Sequence, residues 1–125
     1  MGAKLGSIAI RVSDLDKSEA FYTSLGLEVV SRIETPDVRE VMLGSREGGS
    51  VLMLATEREP SGRPDPAGGY WKAFVYVDDA AQVFARCVAA GAPAHREPAY
   101  FEQWKLTIAM VRDPDGYLVE LGQRH

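Results

Sequence analysis

The sequence predicts an α+β protein built from two similar β-α-β-β-β halves. Three observations lead there. The order strand, helix, strands occurs twice along 125 residues. A stretch rich in proline and glycine separates the two occurrences. Matching features keep a nearly constant offset, as an internal repeat requires.

The first half opens at residues 7–12, SIAIRV, as a strand with Ile8, Ile10 and Val12 on one face and Ser7, Ala9 and Arg11 on the other. Ser13 or Asp14 then caps a helix, and the nearby carboxylates suit its positive end. Leu15, Ser18, Phe21, Tyr22 and Leu25 form a stripe at helical spacing, with Phe21 and Tyr22 expected in the core. Gly26 ends that helix. Strands are expected at 28–33, 38–43 and 51–55, with turns at 35–37 and 45–49.

Residues 56–69, TEREPSGRPDPAGG, hold three prolines and three glycines without apolar periodicity, and read as a linker or flexible loop. The pattern then restarts. Residues 72–77, KAFVYV, form a strand with Lys72, Phe74 and Tyr76 on one face. Asp78-Asp79 caps a helix striped with Ala80, Val83, Phe84, Cys87 and Val88, and Gly91 ends it. A short strand is expected at 94–97 and an aromatic-rich loop at 98–104.

The half closes on residues 111–121, VRDPDGYLVEL. Pro114 presets φ, Asp113 can accept from amides ahead of it, and Gly116 accepts positive φ, so Asp113-Pro114-Asp115-Gly116 is a turn between two strands. On the second strand Tyr117, Val119 and Leu121 share one face, which leaves Glu120 a carboxylate within an apolar strand.

Val12-Ser13-Asp14 matches Val77-Asp78-Asp79 at an offset of 65, as Leu25-Gly26 matches Ala90-Gly91. Residues 51–54 match 118–121 at an offset of 67. Each half is too short for a good core alone, so a single domain 1–125 is expected, with module one at 7–55, a linker at 56–70 and module two at 71–123. A pseudo-twofold would relate the modules, and strand faces away from the helices would line a shared cleft.

Composition narrows the function. Hydrophobic content of 46% with 26% charged residues fits a soluble globular protein. The net charge of −4 and the lack of a basic stripe argue against nucleic-acid and anionic-membrane partners. Cys87 is the sole cysteine, so no intramolecular disulfide forms; its apolar helical neighbours make it a buried thiol. The start MGAKLGS lacks a signal-peptide apolar run, and no 18-residue apolar stretch occurs, so a cytoplasmic protein is expected.

Two motifs, IAIRVSDLDKSEAFYTSLGLEV and VRDPDGYLVEL, resemble the vicinal oxygen chelate superfamily, which includes glyoxalase I, bleomycin-resistance proteins and extradiol dioxygenases. The resemblance runs from about residue 7 to 123. It implies paired β-α-β-β-β modules around a U-shaped cleft. In metal-dependent members it implies four ligands, usually His, Gln or Glu, one from the first and one from the last strand of each module. Carried over residue by residue, those positions are Ser7, Met53, Lys72 and Glu120.

These four residues make a poor metal site. A serine hydroxyl is a weak ligand, a thioether prefers soft ions, and a protonated lysine repels a cation. Glu120 alone keeps ligand chemistry, and His95 and His125 fall elsewhere. No metal and no cofactor are therefore expected. Lys72 and Glu120 then have three readings: an ion pair that replaces the metal, an acid/base pair, or anchors for a charged ligand group. Arg11 lies on Ser7's face and is suited to a carboxylate or phosphate, or else is a rim residue.

Aromatic residues suggest what the cleft holds. Phe74 and Tyr76 share Lys72's face, Tyr70 and Trp71 precede that strand, and Tyr100, Phe101 and Trp104 cluster. Aromatic walls with few polar groups suit a planar or apolar small molecule. The expectation is a metal-free small-molecule-binding homodimer, with Ser7, Arg11, Met53, Phe74, Tyr76, Tyr100 and Trp104 contacting the ligand. The alternative is a glyoxalase-like lyase or isomerase that uses Lys72, Glu120 or Arg11 without metal.

Overall fold

The structure is a computed structural model that describes residues 7–36, 38–57 and 72–125. The chain divides into two compact units, Met1–Pro64 and Asp65–His125. Tyr70, Trp71 and nearly all of the expected linker lie outside the described residues.

The first unit contains β1 (Ser7–Arg11), α1 (Leu15–Ser24), β2 (Glu28–Glu34), β3 (Val38–Gly44) and β4 (Val51–Glu57). Its sheet runs β1-β4-β3-β2, with β1 parallel to β4 and the other pairs antiparallel. Asp14, not Ser13, is the N-cap: its carboxylate accepts from the Lys17 amide at 3.0 Å. α1 packs over β3 and β4. Ile10, Val12, Leu15, Tyr22, Val41, Leu43 and Leu54 are all buried. Tyr22 meets Phe21 edge-on at 5.0 Å, but Phe21 is only half-buried. Ile8 has the expected strand parity yet is 53% exposed, because it lies near the start of an edge strand.

The second unit repeats the arrangement: β5 (Lys72–Tyr76), α2 (Ala80–Ala89), β6 (Ala94–Phe101), β7 (Leu106–Arg112) and β8 (Leu118–Arg124), in the order β5-β8-β7-β6. Asp79 caps α2 by accepting from the Gln82 amide. Val83, Cys87, Ala109, Val111, Val119 and Leu121 are buried. Gln123 shares the face of Val119 and Leu121, and its side chain accepts from the Ala80 amide at 3.0 Å, which puts α2 on that face.

The sequence offsets hold in three dimensions. Each helix is ten residues long, and both its ends and its cap recur 65 residues later. Ser7 pairs with Val51 and Lys72 with Leu118, so first strands shift by 65 and last strands by 67. The α+β class and the two matching modules follow. Strand pairing carries β4 through Glu57 and β8 through Arg124.

The expected aromatic loop at 98–104 is largely strand. β6 continues through Pro98, Ala99, Tyr100 and Phe101, paired to β7, and the turn occupies only 102–105. Of two register shifts on this edge strand, the one between Arg96 and Ala99 spans Pro98, which cannot donate to a ladder. Lys105 closes the turn at φ 52°.

The Asp113 turn forms as its residues dictate. The buried Asp113 carboxylate accepts from the amides of Asp115 at 2.9 Å and Tyr117 at 2.8 Å, and Gly116 sits at φ 90°. This turn fixes the β7–β8 register, which puts Met110 opposite Glu120.

Candidate ligand-binding site

In each unit the first and last strands run parallel as neighbours, and one face carries the candidate residues. In the second unit Lys72 pairs with Leu118 and Phe74 with Glu120. Lys72 and Glu120 are thus diagonal neighbours on the face away from α2. The Lys72 ammonium donates to Glu120 Oε1 in an ion pair. Glu120's side chain is 5% exposed and Lys72's 19%, so the acid is held in place and the amine keeps an edge toward solvent. Burial of a carboxylate this deep requires such compensation.

Phe74 and Tyr76 flank the pair on the same face, with ring centroids 4.7 Å apart. The Phe74 ring lies over Gly122, where no side chain intervenes. Both rings are large exposed apolar surfaces, at 40% and 55%. The Arg124 guanidinium sits over Tyr76, 4.0 Å from the ring centroid. Arg124 was not singled out in the sequence. Its signal was the alternation Glu120, Gly122, Arg124, which puts it on Glu120's face.

Other candidates lie elsewhere. Tyr100 pairs with Thr107 and so takes the α2 face, opposite Glu120. Its hydroxyl donates to Glu102 at 2.7 Å, which raises the phenol above its ordinary pKa. Phe101, one residue on, takes Glu120's face and packs at 5.6 Å against Trp104, which is exposed at the turn. In the first unit Ser7 and Met53 hold the same diagonal as Lys72 and Glu120, and Arg11 lies on their face, exposed.

Neither unit's pair fits a divalent ion. Glu120's carboxylate is engaged by the Lys72 ammonium, and Met53 and Ser7 offer a thioether and a hydroxyl. Among the described residues no three His, Cys, Asp or Glu side chains gather as a metal site. No helix among them is long and apolar enough to cross a membrane.

A family model, Glyoxalase/Bleomycin resistance protein/Dioxygenase superfamily, matches residues 4–121. The chain belongs to this superfamily. A probable lactoylglutathione lyase of Vibrio cholerae is 33% identical over 122 residues, covering 91% of this chain and 86% of that protein. A probable chloroplastic lactoylglutathione lyase of Arabidopsis thaliana is 30% identical over 121 residues; the chain spans only 35% of its length. Among solved structures, the trypanothione-dependent glyoxalase I of Leishmania major superposes with a TM-score of 0.79 at 28% identity, covering 98% of this chain and 87% of that one. The glyoxalase fold is thus shared, while Lys72, Ser7 and Met53 depart from the ligand types that the resemblance implies.

Proposed function

We propose that this glyoxalase-superfamily protein binds a small apolar or aromatic molecule without a catalytic divalent ion. The ligand rests on the second unit's open face, against Phe74 and Tyr76, with the Lys72–Glu120 pair at its floor. The observation that carries this reading is the ammonium held on Glu120, where the superfamily resemblance expects a metal cation. A pair of opposite charges offers hydrogen bonds and a local dipole to a ligand but no Lewis acid. Ser7, Arg11 and Met53 are the corresponding candidates on the first unit's face.

The test is elemental analysis of protein purified without a metal-binding tag, followed by a thermal-shift screen of aromatic compounds with and without EDTA. Ligands that bind the folded state raise the melting temperature with concentration. The reading expects far less than one equivalent of metal and EDTA-insensitive ligand shifts. Stoichiometric Zn, Ni, Mn or Fe that is lost in Glu120→Gln would overturn it.

A second reading is a metal-independent lyase or isomerase, favoured by the 33% identity to a probable lactoylglutathione lyase. Lys72 and Glu120 would then exchange a proton with the substrate, and Arg11 is the anion-binding candidate on the first unit's own face. Bound ligand recovered chemically unchanged supports the binder, and time-dependent conversion supports the enzyme. The proposed assembly is a homodimer. The described sheets leave β1, β2, β5 and β6 as edges, and Ile8, Val30 and Ile33 are exposed. Sedimentation at micromolar concentration reports a species of twice 13.7 kDa if this holds.

A further inference from the structure

Where β5 ends and α2 begins, an open cavity of about 330 Å³ is lined by Tyr76, Val77, Asp78 and Arg124. That volume is at the small end of ligand clefts. Arg124 and Asp78 are both exposed, and neither has an ion-pair partner among the described residues, although they border the same space. Arg124 is not loose, because it sits over the Tyr76 ring at 4.0 Å. Tyr76 is itself backed by Phe74, whose ring lies over Gly122. The guanidinium is therefore pre-oriented, with its N–H donors uncommitted to any acid. The neighbouring α2 N-terminus is already satisfied by Asp79 and Gln123, so it does not compete for an anion.

We infer that this cavity is a binding site for a small zwitterion of the α-amino-acid type with an apolar side chain. Its carboxylate takes the fork of Arg124, its ammonium takes Asp78, and its side chain lies against the exposed ring surfaces of Tyr76 and Phe74. A plain anion leaves Asp78 facing it with like charge, and a plain cation does the same with Arg124. Only a ligand that carries both charged groups on one carbon matches both walls. An Arg–carboxylate contact is geometrically selective because it is bidentate. The site shares the Phe74 and Tyr76 rings with the proposed function but not the Lys72–Glu120 pair, so its failure would leave that reading standing.

The experiment titrates the intact protein with L-phenylalanine, 3-phenylpropionate and phenethylamine. Calorimetry gives affinities, and amide chemical shifts at Tyr76, Val77 and Asp78 locate the binding. The expected result is saturable binding of phenylalanine, with each singly charged analogue weaker by about tenfold or more. Arg124→Gln should erase the preference of phenylalanine over phenethylamine. Asp78→Asn should erase its preference over 3-phenylpropionate. Both residues are on the surface, and melting curves check that the variants fold. Equal affinities for the three probes, shifts confined to other residues, or no saturation by about 10 mM phenylalanine overturns the inference.

Discussion

Gly122 lies directly under Phe74: a Cβ built on Gly122 would stand 2.5 Å from Phe74 Cζ and 2.7 Å from Cε1. No real side chain tolerates that approach, so the ring's position depends on glycine. Gly122 follows Glu120 on the same face, and the ring that covers it lies 4.7 Å from that of Tyr76.

Gly122→Ala should therefore turn Phe74 out of place rather than break the sheet. The ring is already 40% exposed, so it has somewhere to go. The stability cost should be about 1–2 kcal/mol, at the low end for overpacking. Aromatic ligands of the face should lose affinity more than the fold loses stability. Adding Phe74→Ala to Gly122→Ala should restore the melting temperature close to that of Phe74→Ala alone. A double variant that melts as the two single losses added together would show that the ring and the glycine are independent.

Asp113→Ala tests the turn that sets Glu120's register. The buried Asp113 carboxylate accepts from two amides, and alanine leaves both without that acceptor. The expected loss is about 2–3 kcal/mol, more than an exposed turn residue costs. Asp113→Asn keeps an acceptor oxygen and should lose less. Urea denaturation of the three proteins reads the order directly, and Asn destabilising as much as Ala would contradict the account.

How much of this was legible in the chain depends on the kind of signal. The helices were, because Asp14 and Asp79 cap, Gly26 and Gly91 adopt φ of 108° and 104°, and the apolar spacing is helical. The Lys72–Glu120 contact was legible through the ligand positions that the superfamily resemblance implies, with which the repeat offsets agree. The loop expected at 98–104 was not, because Pro98 argues against strand when read locally, while edge pairing with register shifts tolerates it. One residue of strand parity then separated Tyr100 from Phe101: the expected ligand contact lies on the α2 face, and its neighbour lies on the face of Glu120. Arg124 was missed because cation–π contact with Tyr76 across two parallel strands has no local sequence pattern.

Cys87 should behave as an inert thiol in the native protein. It is 3% exposed, and burial pushes its pKa up, against a smaller opposing effect of Arg86. The thiolate is the reactive form, so alkylation at neutral pH should be slow when folded and fast in denaturant. The pH consequence has a definite sign. A pKa raised by folding means the unfolded thiol ionises first. Its stability contribution is complete below the unfolded thiol's pKa, about 8.5, and declines as pH rises above that value toward the folded one. Cys87→Ala should flatten that alkaline decline. An equally steep decline in the variant would assign it to other groups.

Lys72 and Glu120 allow the sharpest test, because their unequal exposure predicts unequal costs. Lys72→Met leaves Glu120 as a carboxylate only 5% exposed, stripped of the ammonium it accepts from. That should cost about 3 kcal/mol, the low end for a broken buried pair. Glu120→Gln leaves an amine whose side chain keeps 19% of its surface exposed, so water can replace part of what is lost. That variant should cost less, about 1 kcal/mol. The double variant should recover much of the Lys72→Met loss, since two neutral side chains in one apolar-walled place no longer need each other. A coupling of about 2–3 kcal/mol in this cycle is the signature of a structural pair standing where the superfamily resemblance expects metal ligands. Variants that each fold as well as the parent while losing ligand binding or turnover would instead mark the two groups as functional, held against each other at the expense of stability. In that case the weight moves to the lyase or isomerase reading, with Glu120 and Lys72 exchanging a proton with the bound molecule.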